Sequence, residues 1–135
     1  MQPKIDLITL FSENVGEMFR FYRDVLGFEP QGEVDESAIG YVEFRHEGVR
    51  FAVCAAKVMR DITQNHPAYT AAVSGQRLEF AFREESAAAV DATYATLIEK
   101  GATPIHPPQR MPWNQYTGLF ADPDGNVHEV FADVS

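Results

Sequence analysis

The segment LFADPDGNVHEVF, residues 119–131, decides the fold of this 135-residue chain. Its centre, Asp122-Pro123-Asp124-Gly125-Asn126, has the composition of a tight turn, because Asp, Pro, Gly and Asn favour the backbone angles that turns require. The residues on either side are apolar or alternate between apolar and polar. The segment therefore predicts a hairpin whose second strand runs over Val127–Phe131.

A second segment, FRFYRDVLGFEP at residues 19–30, predicts the end of a helix. Asn14 and Glu17 have the spacing of a capping box, which marks the start of this helix. Gly27 ends the helix as a left-handed residue, and Phe28 covers its last turn. A short apolar strand, Ile5–Phe11, precedes the helix, and a hairpin that turns at residues 46–48 follows it.

The second half of the chain repeats this order. Leu78–Phe82 predicts a strand, and Ser86 caps a helix that ends at Gly101. The helix-ending glycines Gly27 and Gly101 lie 74 residues apart, and the turn glycines Gly48 and Gly125 lie 77 apart. This spacing favours an internal duplication over a coincidence between two ordinary αβ segments. We place the modules at residues 4–56 and 77–133.

Residues 57–76 match neither module and are interpreted as a linker. Lys57–Gln64 predicts a short helix, which Asn65-His66-Pro67 would end because the residue before a proline disfavours helical backbone angles.

Composition excludes several classes of function. The chain has 11 Lys and Arg against 20 Asp and Glu, a formal net charge of −9. Nucleic acids and anionic membrane surfaces are therefore poor partners, because both are bound through basic groups. No apolar run is long enough to span a membrane. Cys54 is the single cysteine, so an internal disulfide is impossible. We expect a single cytoplasmic domain, since the N-terminus has no signal-peptide pattern.

Residues 19–30 and 119–131, in this order and with the duplication, resemble the vicinal oxygen chelate superfamily. That superfamily includes glyoxalase I, bleomycin-resistance proteins and extradiol dioxygenases. The resemblance implies an α+β fold in which two βαβββ modules form curved mixed sheets around a cavity. It also implies a homodimer that holds a small organic molecule in that cavity.

Metal-dependent members of this superfamily hold one divalent ion with ligands at four equivalent strand positions. The resemblance places these positions at Glu129, four residues after the turn glycine, and at Glu79, Leu7 and Ala52. The last two side chains cannot coordinate a metal. Two carboxylates with water would hold Mg²⁺ or Mn²⁺ weakly. We therefore expect no cofactor, or at most a weakly bound divalent ion.

Other roles for these carboxylates stay open. Glu129 and Glu79 can form an acid–base pair, because two close carboxylates raise the pKa of one of them. Alternatively, Glu129 pairs with Arg50 or Arg83. In that case both glutamates would form salt bridges in the wall of the cavity.

The loop before the last hairpin contains Trp113 and Tyr116 where relatives often carry Pro-Trp-Gly-x-Arg, and here Asn114 takes the place of the glycine. Both aromatic residues are candidates for stacking on a planar or cationic ligand. The alternative for Trp113 is a place in the core or in a dimer interface. Further ligand-binding candidates are Phe11, Arg50 and Arg83.

Two functions agree with these observations. The first is a metal-independent protein that binds a small organic molecule, with a cationic aromatic ligand favoured by the acidic charge. The alternative is a divalent-metal-dependent lyase or isomerase of the glyoxalase type that uses Glu129 and Glu79. An extradiol dioxygenase is least favoured, because its iron needs two histidines and a carboxylate.

Overall fold

The computed structural model describes residues 1–70 and 75–135. The chain is α+β, with one three-stranded and one four-stranded sheet. It separates into two compact units, Met1–Val73 and Ser74–Ser135.

The first unit contains a helix packed on a three-stranded sheet. The sheet order is β1-β3-β2, with β1 parallel and β2 antiparallel to β3. The helix continues into one π-helical turn, Phe21–Val25, and a 3₁₀ turn spans Pro67–Tyr69. The elements are β1 (Leu7–Ser12), α1 (Val15–Arg20), β2 (Tyr41–Phe44), β3 (Arg50–Ala55) and α2 (Ala56–Ile62).

The predicted βαβββ module is only partly realised here, because the strand after the helix is reduced to a single bridge. Pro30 pairs with Phe44 as an isolated antiparallel bridge. The N–H of Arg45 donates to Glu29 O at 2.8 Å, beside that bridge. The N–H of Gln31 donates to Glu43 O at 2.8 Å on the other side of the bridge, so Pro30 occupies a position whose missing N–H would not point into the ladder.

Both ends of the first helix lie where the sequence predicts, but its capping box forms only in part. The Asn14 side chain accepts from the N–H of Glu17, so Asn14 is the N-cap, and its amide donates to the Glu17 carboxylate. The main-chain N–H of Asn14, which Glu17 would bind in a capping box, donates to Ser12 Oγ at 2.9 Å instead. Gly27 has φ +84°, and the N–H of Phe28 donates to Tyr22 O at 2.9 Å to close the last turn. A φ of this sign is strained for any residue with a Cβ, so the glycine allows the chain to leave the helix.

The core of the first unit is aromatic. Phe19 stacks on Phe44 at 5.9 Å between ring centroids, and Tyr22 meets Phe51 edge-on at 5.1 Å. Phe44 and Phe51 lie opposite each other in the β2–β3 register and therefore face α1 together. Ring pairs of this kind stabilise a core beyond their buried area.

The second unit is a complete βαβββ module. Its sheet order is β4-β7-β6-β5, with β4 parallel to β7 and the other pairs antiparallel. Ser86 caps its helix by accepting from the N–H of Ala89. The elements are β4 (Ala81–Arg83), α3 (Ala87–Glu99), β5 (Thr103–Arg110), β6 (Gln115–Ala121) and β7 (Val127–Asp133).

Strand β4 begins later than the sequence predicts, at Ala81 rather than Leu78. The side-chain amide of Gln76 accepts from the N–H of Val127 at 3.0 Å and donates to its carbonyl at 2.7 Å. Both main-chain groups of Val127 are thus occupied by a side chain, so the Leu78 carbonyl and the Phe80 N–H have no ladder partner at Val127.

Strand β5 runs through a proline-rich segment around His106. The strand carries Pro104, Pro107 and Pro108, but it lies at the edge of its sheet and has register shifts on either side of His106. An edge strand tolerates proline because one of its sides needs no ladder partner.

The helix predicted between the modules forms over Ala56–Ile62. It ends before Gln64 and Asn65, whose φ angles of +55° and +63° are not helical. Residues 71–74 of the predicted linker lie outside the described residues. Within the described parts of the chain, no helix combines the length and hydropathy needed to cross a bilayer.

Gly118 of β6 packs closely against Tyr94 of α3. A Cβ built there would lie 2.7 Å from Tyr94 Cδ2 and 3.0 Å from Pro108 Cγ. We predict that Gly118→Ala lowers the free energy of unfolding by about 1–3 kcal/mol, as overpacking does, measured by urea denaturation.

The matched control is Gly16→Ala in α1, where a Cβ would meet only the flexible end of Arg20 at 3.4 Å. Alanine should be neutral or stabilising there, because glycine is a poor helix residue. Equal effects of the two substitutions would contradict the packing assigned to Gly118.

Candidate functional site

Helix α3 covers one face of the second sheet. Gly118 lies directly under Tyr94, and the Tyr116 hydroxyl donates to Asp91 of the helix at 2.8 Å. Tyr116 and Gly118 of β6 therefore face the helix. Because side chains alternate along a strand, the residues next to them in β6 point to the opposite face. We call that opposite side the far face; by the register of β4, β6 and β7 it presents Ala81, Arg83, Gln115, Thr117, Leu119, Val127, Glu129, Phe131 and Asp133.

Glu129 lies near the centre of the far face. It pairs with Leu119 on β6 and Ala81 on β4. Its side chain is half-buried, and no hydrogen bond or ion pair to that carboxylate is found among the described residues. Burial raises the pKa of Glu129 above its usual value, and the nearby charge of Glu79 raises this pKa further. The site thus contains a partly desolvated carboxylate with no cation beside it.

Glu79 is held close to Glu129 by the main chain. It directly precedes Phe80, whose carbonyl accepts from the N–H of Glu129 at 2.9 Å. Glu79 itself is exposed to solvent. The two glutamates that the sequence singled out are therefore neighbours, one exposed and one half-buried.

A chain of polar contacts crosses the rest of the far face. The Arg83 guanidinium lies 4.7 Å above the Phe131 ring and donates to Asp133 at 2.5 Å. The other oxygen of Asp133 accepts from Gln115 at 3.2 Å, and Gln115 accepts from Trp113 Nε1 at 2.9 Å. Hydrogen bonds from Arg83 and Gln115 lower the pKa of Asp133. Trp113 and Arg83, both predicted ligand-binding residues, thus belong to one connected surface.

Thr117 adds a buried hydroxyl to this face. It pairs with Phe131 and is fully buried. Its Oγ1 has no hydrogen-bond partner within the described part of the chain. A buried polar atom without a partner costs free energy unless something else satisfies it.

Tyr116 lies apart from the other candidates of the second unit. It is on the α3 side of the sheet, where hydrogen bonding to Asp91 raises the pKa of its hydroxyl. Asn114, two residues earlier, has φ +59°, a left-handed conformation that glycine adopts readily and asparagine more often than most other residues.

Arg50 and Phe11 belong to the first unit. Arg50 donates to Glu43 at 2.7 Å and to Asp6 at 3.0 Å, so its charge is already balanced. Phe11 is 44% exposed and meets Tyr69 edge-on at 5.4 Å. The predicted ligand-binding residues are therefore distributed over both units.

The residues present do not fit a complete metal site. Leu7 and Ala52 offer no donor atom, and Ala52 is fully buried. Nowhere in residues 1–70 and 75–135 do three or more His, Cys, Asp or Glu side chains gather. Divalent ions in proteins take several oxygen or nitrogen ligands, so the Glu79 and Glu129 pair supplies too few.

Sequence reasoning missed Thr117, Gln115 and Asp133. Asp133 follows Glu129 at a spacing of four, so alternation along β7 predicts that both share a face. The other two depend on the β6–β7 register, which single-strand patterns do not contain.

Comparison with known proteins agrees with this fold. A protein-family model described as Glyoxalase/Bleomycin resistance protein/Dioxygenase superfamily matches residues 4–130. A search of curated proteins returned no match.

Solved structures give a similar picture. A glyoxalase/bleomycin resistance protein/dioxygenase from Nocardioides is 27% identical, with a TM-score of 0.84 over 100% of this chain and 86% of that one. A family enzyme from Burkholderia phytofirmans PsJN is 22% identical, with a TM-score of 0.79 over 98% and 100%. A lactoylglutathione lyase from Agrobacterium tumefaciens is 22% identical, with a TM-score of 0.71 over 98% and 95%.

The last two likenesses concern the fold alone, whereas the family model spans nearly the whole sequence. With its two-sheet α+β architecture, the chain belongs to the glyoxalase/bleomycin resistance protein/dioxygenase superfamily.

Proposed function

We propose that this chain binds a small organic cation on the far face of its second sheet, without a metal ion, in the manner of a bleomycin-resistance protein. The observation that carries the proposal is Glu129, a half-buried carboxylate with no cation partner among the described residues. A bound ammonium, guanidinium or iminium group would supply the missing charge.

Electrostatics favours a cation over an anion. The chain has a net charge of −9, and Glu79 adds a second negative charge close to Glu129. Arg83, the basic residue on this face, is already paired with Asp133. A ligand anion would meet repulsion from two carboxylates, whereas a cation would interact with both.

The rest of the far face suits an apolar or aromatic ligand body. Leu119 and Phe131 flank Glu129, and Trp113 exposes 60% of its surface at the end of the polar chain. Aromatic faces attract cations as well as stacking on planar rings.

The proposal includes a cytoplasmic homodimer. Large hydrophobic side chains at Leu78, Ile105 and Trp113 are exposed in the second unit. A partner subunit that covered them would remove this apolar surface from water.

The second candidate is a divalent-metal-dependent lyase or isomerase that uses Glu129 and Glu79. The proximity of the two carboxylates is the observation that favours it. It would need metal ligands beyond this pair, which is why metal-independent binding is preferred here.

We predict that the protein binds the cationic dye thioflavin T and that Glu129→Gln weakens this binding by roughly 10- to 100-fold. Thioflavin T has no N–H donor, so this loss, about 1.4–2.7 kcal/mol, is that of a Coulomb attraction between its cationic ring and a half-buried carboxylate. Dye fluorescence titrated with protein at low ionic strength measures the affinity.

The matched control is Glu47→Gln, which removes the same charge from an exposed turn of the first unit. It should leave the dye affinity nearly unchanged. Absence of binding by the wild type, or equal losses in both variants, would contradict the proposed role of Glu129. Tighter binding of the anionic dye anilinonaphthalene sulfonate would contradict the preference for cations.

We also predict that Glu129→Gln raises the thermal midpoint of the unliganded protein at pH 8. The raised pKa means that the folded protein favours protonated Glu129 more than the unfolded chain does. Ionisation of Glu129 therefore destabilises the folded state, and the stability that this group contributes at low pH is lost as pH rises through its folded-state pKa. The gain should disappear below the usual glutamate pKa of about 4.3, where both side chains are neutral. Calorimetry from pH 3.5 to 8, with Glu47→Gln as the net-charge control, tests this; an equal gain at every pH would contradict it.

Metal binding separates the two candidate functions. We predict that equilibrium dialysis against Mn²⁺ shows the same weak uptake by the wild type and by the double variant Glu79→Gln/Glu129→Gln. One Mn²⁺ per chain at micromolar concentration, lost in the double variant, would instead favour the lyase or isomerase.

A further inference from the structure

His128 is a buried polar side chain that the proposed function does not use. It is fully buried on the α3 side of β7, next to Glu129 in sequence but on the opposite face. Its ring stacks on Phe80 at 4.8 Å with an interplanar angle of 12°, and Phe82 and Phe120 enclose it edge-on. A histidine in such an aromatic setting needs partners for both ring nitrogens.

Both ring nitrogens of His128 have a polar neighbour. Nδ1 accepts from the main-chain N–H of Phe80 at 3.0 Å. A main-chain N–H can only donate, so Nδ1 carries no proton and the neutral ring has its hydrogen on Nε2. Nε2 lies 3.7 Å from Asp122 Oδ2, within the turn that precedes β7.

The bond from Phe80 to His128 replaces a missing ladder bond. In a continued parallel pairing of β4 with β7, the Phe80 N–H would reach the Val127 carbonyl. That carbonyl accepts from the Gln76 side chain at 2.7 Å instead. His128 therefore supplies the acceptor that the strand has lost at this point.

Two consecutive residues of β7 thus bind both main-chain polar groups of Phe80. Glu129 donates its N–H to the Phe80 carbonyl at 2.9 Å, and His128 accepts the Phe80 N–H. Glu79 immediately precedes Phe80. Its place beside Glu129 depends on how Phe80 is held, because Glu79 has no ion pair or side-chain hydrogen bond of its own among the described residues.

We propose that His128 is a positioning residue: through the Phe80 main chain, its Nδ1 sets the carboxylate of Glu79 against that of Glu129. The position of Glu79 is a property of the protein without a ligand. The effect on ligand binding rests on the proposed function of the far face.

The experiment separates the acceptor from the aromatic ring. His128→Asn keeps a side-chain acceptor near the Nδ1 position but removes the stacking ring. His128→Phe keeps a stacking ring but removes the acceptor. A role in packing alone predicts that the Phe variant is normal and the Asn variant is impaired. A positioning role predicts that Glu79 keeps its place beside Glu129 in His128→Asn and loses it in His128→Phe, independent of how stable each variant is.

The readout is the pKa of Glu129, measured by ¹³C NMR of carboxyl-labelled protein, with and without Glu79→Gln. Glu79→Gln should lower this pKa in the wild type and in His128→Asn, because it removes the neighbouring charge. In His128→Phe the same substitution should have little effect, since Glu79 is no longer held there. A ¹⁵N–¹⁵N coupling between Phe80 N and His128 Nδ1 in the wild type directly reports the hydrogen bond.

Three results would overturn the proposal: no such coupling, no effect of Glu79→Gln in the wild type, or an equal effect in His128→Phe and the wild type. None of these measurements uses a ligand, so they decide the role of His128 even if thioflavin T does not bind and the proposed function fails. If the dye does bind, His128→Phe should weaken dye binding roughly three- to tenfold, as Glu79→Gln does. The double variant Glu79→Gln/His128→Phe should bind the dye no more weakly than either single variant.

Discussion

The close approach of helix α3 to strand β6 at Gly118 is the contact on which the arrangement of the second unit depends. No side chain fits between that residue and Tyr94, so the helix covers one face of the strand and leaves the other. The β6–β7 register carries the same division across to β7. His128 and Val130 therefore lie under the helix, while Glu129 and Phe131 lie on the far face. The chemistry of Glu129 follows from this division of faces.

Side chains replace main-chain hydrogen bonds at the start of this module. The Gln76 amide occupies both polar groups of Val127, and His128 then accepts the N–H of Phe80. In the turn before β7, Asp122 accepts from the N–H groups of Asp124 and Asn126. These main-chain polar groups all have a partner, so the short β4 leaves none of them unsatisfied.

Burial without a cation partner among the described residues distinguishes Glu129 from the arginines Arg50 and Arg83. Arg50 is balanced by Glu43 and Asp6, and Arg83 by Asp133. These pairs are exposed, and exposed ion pairs contribute little to stability. Glu129 is half-buried, and burial together with Glu79 raises its pKa. A fold shared across a superfamily does not decide a reaction, so the proposed function is argued from this carboxylate and its neighbours.

The amino-acid sequence by itself determined the local features of this protein. The N-cap at Asn14, the left-handed glycines at Gly27 and Gly101 and the hairpin at Gly125 all depend on short-range backbone chemistry, and all form as predicted. Alternation within one strand likewise put Glu129 and His128 on opposite faces. Only the tertiary structure decided the start of β4, the strand through Pro104–Pro108 and the place of Tyr116 under α3. These features depend on the partner of each hydrogen-bonding group and on the register between strands, and such contacts join residues as far apart as Gln76 and Val127. The sequence of one segment shows how its own side chains are spaced. Which segment it pairs with, and in which register, depends on how the segments pack in the folded chain.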